Sequence, residues 1–248
     1  MKTRLATTLL LLFIAFFLPL VTSARGYWFE IKGSGKVNEP VKIGVCFGGI
    51  DERGARTREQ GSGNERLAGF KVYVVDSKGG RTEISLHPLE DRWEGVFTPR
   101  EKDVYRILGI NDRLPVLDSE QRKMNIRPVQ YLCALYTTAG ASPSVQLPLQ
   151  FMDIIVTQKE RLVTVKGFKN NLPADSSLKF RIFNPENWEK TPTADEKGKA
   201  AFMTTMKGLY IIRLDWMEQK PHTYQGKLVD GIRHRCDYSL HVDEEHVP

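Results

Sequence analysis

Beyond residue 26 the chain is a succession of short runs in which apolar side chains alternate with polar ones or follow each other without a break. No window of about a dozen residues carries an apolar stripe at the 3.6-residue period of an amphipathic helix, so the pattern predicts strands. In the first half they fall at 27–32, 41–47, 70–76, 82–86, 93–97, 104–108 and 129–136. In the second they fall at 152–157, 162–167, 178–183, 200–205, 209–216 and 234–242. "DSKGGR", between 75 and 82, carries glycines that supply the positive φ of a tight hairpin turn. Within 209–216, Tyr210, Ile212, Leu214 and Trp216 alternate with Arg213 and Asp215, which predicts one packed face and one that is mostly wet.

The segment 137–148, "TTAGASPSVQLP", is small, polar and proline-bearing, as a connection between domains is. The predicted fold is therefore all-β: two tandem β-sandwich domains, an immunoglobulin-like one over 25–137 and a transthyretin-like one over 149–248, joined by a linker at 138–148. Residues 48–69 interrupt this plan. Their arginines and acids are interleaved among glycines, which predicts a solvated, flexible loop.

The first 24 residues change the picture of where the protein works. Lys2 and Arg4 precede an unbroken apolar run over 9–21 and the small residues Thr22, Ser23 and Ala24, the plan of a cleaved secretory signal peptide. That run is shorter than the roughly 20 residues a helix needs to span a bilayer, and no later stretch is apolar enough to span. The expected product is exported to the periplasm or beyond. Without residues 1–24 the chain keeps 34 basic and 30 acidic side chains, a net +4 spread along its length. Such a mild excess favours solubility and argues against a nucleic-acid partner. The three cysteines, Cys46, Cys133 and Cys236, are an odd number for an oxidising compartment. A Cys46–Cys133 bridge conflicts with strand alternation, because Cys46 points away from the face shared by Val41, Ile43, Val45 and Phe47.

The candidate chemistry concentrates in "GIRHRCDYSLHV", residues 231–242. On a strand, His234 and Cys236 share a face about 6.5–7 Å apart, while His241 points to the other side. Imidazole and thiolate suit nickel, zinc or copper, and His222 is the nearest further candidate ligand. The competing reading makes His234 and Cys236 core residues, Cys236 packing as a small hydrophobe. The acidic-histidine tail around His241 and His246 reads as a terminus. "KGSGKV" lacks both the opening glycine and the Ser or Thr of a phosphate loop and reads as a turn. Neither a Gly-x-Ser-x-Gly elbow nor a His-Glu-x-x-His pair occurs. Tyr27, Trp28, Trp93 and Trp216 suit sandwich cores. Trp188, in the polar turn "NPENWEK", is the aromatic best placed to touch a partner.

The aromatic pair Tyr27-Trp28, "GKVNEPVKIGVCFG", "FTPREKDVYRI", "TADEKGKAAF", "MKGLYIIRLDW" and "YQGKLVDGIRHRCDYSLHV" together resemble, in this order, the bacterial exported family of nickel-uptake, substrate-specific periplasmic proteins. That resemblance implies a soluble, non-catalytic periplasmic binding or accessory protein linked to nickel or cobalt uptake, with an envelope transport component as partner. Family members start their mature chain with a histidine. Arg25 and Gly26 stand before Tyr27 here, and arginine stays protonated and does not ligate metals. Two alternatives remain: a cell-envelope module that holds a protein or glycan partner, and a hydrolase without a recognisable motif.

Overall fold

The computed structural model describes residues 25–51, 55–119, 124–142, 146–175 and 178–243. The signal segment 1–24 and tail residues Glu244, Glu245 and His246 lie outside the described residues.

In the first half the strands are β1 (Gly26–Lys32), β2 (Val41–Ile50), β3 (Arg56–Arg58), β4 (Lys71–Val75), β5 (Arg81–Ile84), β6 (His87–Pro88), β7 (Trp93–Phe97), β8 (Val104–Asn111), β9 (Leu117–Ser119) and β10 (Met124–Thr137). The second half adds β11 (Met152–Lys159), β12 (Leu162–Lys169), β13 (Leu172–Pro173), β14 (Phe180–Phe183), β15 (Glu189–Lys190) and β16 (Lys199–Met203). It closes with β17 (Gly208–Glu218), β18 (His222–Tyr224), β19 (Lys227–Val229) and β20 (Gly231–Val242). Every run predicted from alternation overlaps one of these strands, although 82–86, 178–183 and 200–205 each overrun theirs by two residues. The structure is all-β with two sandwiches, as the periodicity requires.

The arrangement of the sheets is not a pair of closed sandwiches in series. Sheet I has the order β1-β2-β7-β6, with β3 on β2. Sheet III has the order β11-β12-β13, with β16 on β12. Between them runs sheet II, β15-β14-β17-β20-β10-β8-β4-β5, so strands of both halves belong to one continuous sheet. The join is the parallel pairing of β20 with β10, in register from Ile126 opposite Gly231 to Ala134 opposite Ser239. A parallel neighbour needs a long crossover. Here the crossover is the whole second half of the chain.

Strand alternation decides which side each small sheet takes. Leu132, Ala134 and Tyr136 of β10 enter a core with Phe29, Val41, Ile43 and Val45 of sheet I. Val129, Tyr131 and Cys133 enter a core with Met152, Ile154, Val163 and Val165 of sheet III. Sheets I and III therefore lie on opposite faces of sheet II, overlapping at β10. A strand covered on both faces reads as a continuous apolar run, and "VQYLCALY" does.

Two expectations give way. The second face of β17 is not mostly wet: Arg213 is buried and Asp215 half-buried, and Asp237 and Ser239 beside them on β20 are buried too. The edge of sheet I covers them. Trp28 of β1 packs on Ile211 and Phe183, and the Phe29 N–H donates to Ser239 Oγ at 2.9 Å. The described residues of the segment 48–69 are also more regular than its composition predicts. β2 runs on to Ile50, β3 pairs back on it, and a 3-10 turn over Gly61–Leu67 buries Leu67. Gly48 permits this return, because a Cβ there would overlap the Thr57 carbonyl oxygen.

Candidate functional site

β20 turns His234 and Cys236 toward the same core, as alternation requires, but they have different neighbours. The His234 ring stacks on Tyr131 at 6.1 Å and touches Phe151 at 4.7 Å and Trp216 at 5.3 Å. Its Nδ1 lies 3.2 Å from Tyr131 Oη and its Nε2 lies 3.4 Å from Glu218 Oε2. Cys236 is fully buried, with its Sγ 3.5 Å from Cys133 Sγ. Cys133 in turn donates to Asp153 Oδ1, the carboxylate that holds Arg106 at 2.6 Å. His222 sits on the β18–β19 hairpin with Nδ1 on the Lys220 carbonyl at 2.8 Å. Among the described residues, no three His, Cys, Asp or Glu side chains come close enough to hold a metal ion. The ligand candidates His234, Cys236 and His222 are thus not brought together as a set.

Burial lowers the His234 pKa below its ordinary value near 6.5, partly opposed by the hydrogen bond to Glu218. The unfolded chain then takes up a proton before the folded one does, so stability is full above about pH 6.5 and falls as the pH drops toward the folded value. Thermal scans from about pH 7.5 to about 5.5 are expected to show a declining Tm that His234→Gln flattens. An unchanged slope in that variant would assign the decline to other groups.

The thiols carry a second expectation. Cys133 stands opposite Tyr238, and Cys236 stands opposite Tyr131, so the two cysteines are diagonal neighbours two residues out of register. Their sulfurs lie 3.5 Å apart, well beyond the roughly 2.05 Å of a disulfide bond. Cys46 is on a different face of the molecule, beside Trp28. All three cysteines are buried and free, and burial pushes the Cys46 and Cys236 thiols far above their ordinary pKa. Folded protein should resist alkylation, and unfolded protein should take up three alkyl groups by mass spectrometry. A cross-linked peptide pair would contradict this.

The residues that gather at the surface are others, where β1 and β3 of sheet I meet β17 and the β14–β15 turn. A groove of about 580 Å³ is lined there by Trp28, Glu30, Arg56, Arg58, Asp91 and Leu209, among others. Arg58 donates to both Glu30 and Asp91, and the Trp28 Nε1–H donates to Glu30 Oε1 at 3.1 Å. Burial works to raise the Glu30 pKa, but these hydrogen bonds outweigh it and hold the carboxyl below its ordinary value. At Glu30 and Leu209 the groove meets a second, smaller one of about 290 Å³, whose walls include Phe29, Ile31, Leu135 and Ser239. β1 pairs with β2 alone, so its outer edge forms one wall.

Trp188 stands at the margin of this region and is 73% exposed. Its turn is closed by Asn184, whose N–H donates to the Trp188 carbonyl at 3.1 Å and whose Oδ1 accepts from the Trp188 N–H at 2.8 Å. Arg56, from the other half of the chain, clamps the same turn by donating from Nη2 to Asn187 Oδ1 at 2.6 Å. Its guanidinium lies 5.3 Å from the centre of the Trp28 ring. Sequence reasoning singled out Trp188 but missed Arg56 and the β1 edge. Arg56 and Asn187 are 131 positions apart, and no local pattern links them.

No protein-family model matches the chain, and no curated protein matches it. Among solved structures, a two-domain fibronectin type III segment from chicken tenascin is similar at 11% identity, over 87% of this chain and 99% of that one. The TM-score is 0.25, too low to equate the two architectures.

Proposed function

We propose that this is a non-catalytic binding module of the cell envelope, which holds its partner in the groove where the two sandwiches meet. The carrying observation is the Trp188 turn. The backbone of the turn that carries this large, flat, exposed aromatic is held by Asn184 and, through Asn187, by Arg56 from the opposite half, so the turn is shaped before any partner arrives. Aromatic anchors on pre-organised turns lose little entropy on binding. The site lies between sheets, where ligand clefts commonly form.

The test is calorimetric titration of the untagged mature chain with fractionated envelope glycans and proteins, alongside Trp188→Ala. Because Trp188 is exposed, that change should shift stability by no more than about 0.5 kcal/mol. Binding is expected to weaken about tenfold or more, in line with an aromatic contact residue. If every fraction is inert, or the variant binds as well as the parent, the reading fails. The same titration with nickel, zinc and copper tests the uptake role implied by the family resemblance. Micromolar metal binding abolished by His234→Ala would favour that role instead.

A further inference from the structure

Charge pairing across the buried junction leaves Arg56 and Arg233 without a carboxylate among the described residues, and of the two it is Arg56 that lines the groove. Arg213 is matched by Asp237 at 2.6 Å, Arg235 by Asp215 at 2.6 Å and Arg181 by Glu189 at 2.6 Å. Arg58 is matched by Glu30 and Asp91, and Arg92 by Asp91 and Glu94. Among the described residues, no carboxylate lies within ion-pairing distance of Arg56, whose side-chain hydrogen bond goes to the neutral Asn187 amide. Asp237, the acid nearest it in effect, already accepts two hydrogen bonds from Arg213 and one from Gln130. Arg56 is half-buried and lines the larger groove. Burial lowers its pKa to about 10, which leaves the guanidinium charged at neutral pH but short of solvation. Asn187 and the Trp28 face offset part of that desolvation, but neither carries the negative charge that would balance a half-buried cation.

We propose that Arg56 is an anion-recognition residue of the groove and that, together with the exposed Trp188 indole, it takes a carboxylate-bearing sugar, an acidic glycan. The guanidinium forks onto a carboxylate with paired hydrogen bonds. An exposed indole offers a flat face to a sugar ring. One turn ties the two together: the Arg56 guanidinium is bonded to Asn187, and the backbone of the next residue, Trp188, is bonded to Asn184. This inference rests on the binding-module reading above and adds the ligand's charge and class to it.

The experiment measures the affinity of the full mature chain for oligogalacturonate, for a neutral oligosaccharide of equal length and for poly-glutamate, at low and high salt. Oligogalacturonate is expected to bind at least tenfold more tightly than the neutral sugar, with an advantage that shrinks as salt rises. Arg56→Gln should bring the ratio close to one and remove the salt dependence, and Arg56→Lys should restore part of both. A circular-dichroism melt checks that the variants fold, and the acid-to-neutral ratio is a readout that a purely structural role for Arg56 would not move. The inference is overturned if the folded Arg56→Gln variant keeps the wild-type ratio, or if the wild-type chain shows no preference for the acidic sugar. Poly-glutamate binding as tight as oligogalacturonate, with the same dependence on Arg56, overturns the glycan assignment. If the neutral sugar or an envelope fraction still binds in a Trp188-dependent way, the binding-module reading stands while the charge inference falls.

Discussion

Asp237→Ala is expected to destabilise the protein by about 3–5 kcal/mol, the usual cost of breaking a fully buried ion pair from one side. Asp237 has no exposed side-chain surface and accepts from Arg213 Nε at 2.6 Å and Nη2 at 3.1 Å. It accepts a third hydrogen bond from Gln130 Nε2 at 3.1 Å. Burial works to strip the proton from Arg213, and Asp237 outweighs it, so the guanidinium stays charged. Removing the carboxylate leaves that charge trapped beneath Gly26 of β1, and it leaves the Gln130 amide with only its bond to the Tyr131 carbonyl. Replacing both partners, as in Arg213→Met with Asp237→Leu, should restore most of the loss, because the stranded charge is what costs the most. Urea denaturation checks both variants. Because β20 belongs to one sheet with strands of each half, the loss should appear as a shift of a single transition rather than as early melting of one half. A cost below about 1 kcal/mol, or two separated transitions, would contradict the account.

Trp28→Ala should cost a similar amount, about 3–5 kcal/mol, by a different mechanism. The indole is 2% exposed and fills the space among Cys46, Phe183 and Ile211, where sheet I leans on the second half. Its removal opens a cavity and also frees Glu30 from one of its hydrogen-bond donors. The cavity borders Cys46 and not the Cys133–Cys236 pair, which lies in the other core. Native-state alkylation of the variant should therefore label Cys46 ahead of the other two. Equal labelling of all three would mean that the whole fold had loosened, and no labelling would mean that the site had collapsed around the gap.

How far the sequence could be read follows from the range of each interaction. Strand positions were legible because alternation is written into neighbouring residues: 93–97 and 209–216 show their packed faces directly. The facing of His234 and Cys236 was legible for the same reason. The wetness of Arg213 was misjudged, since a charge on a strand reads as solvent-facing unless its partner is known, and Asp237 lies 24 residues away. The 48–69 segment was misjudged likewise, because its order comes from β2 pairing rather than from its own composition.

By itself, then, the chain determined its class of structure and which residues of a strand share a face, since both depend on side chains one or two residues apart. The tertiary structure alone decided that β20 crosses back to lie beside β10, that sheet I covers the charged face of β17, and that Arg56 reaches the Trp188 turn. These pairings join residues about a hundred or more positions apart, and they are selected by how whole faces fit and which buried charges find partners. That selection is a property of the assembled sheets and leaves no periodic trace in any single segment.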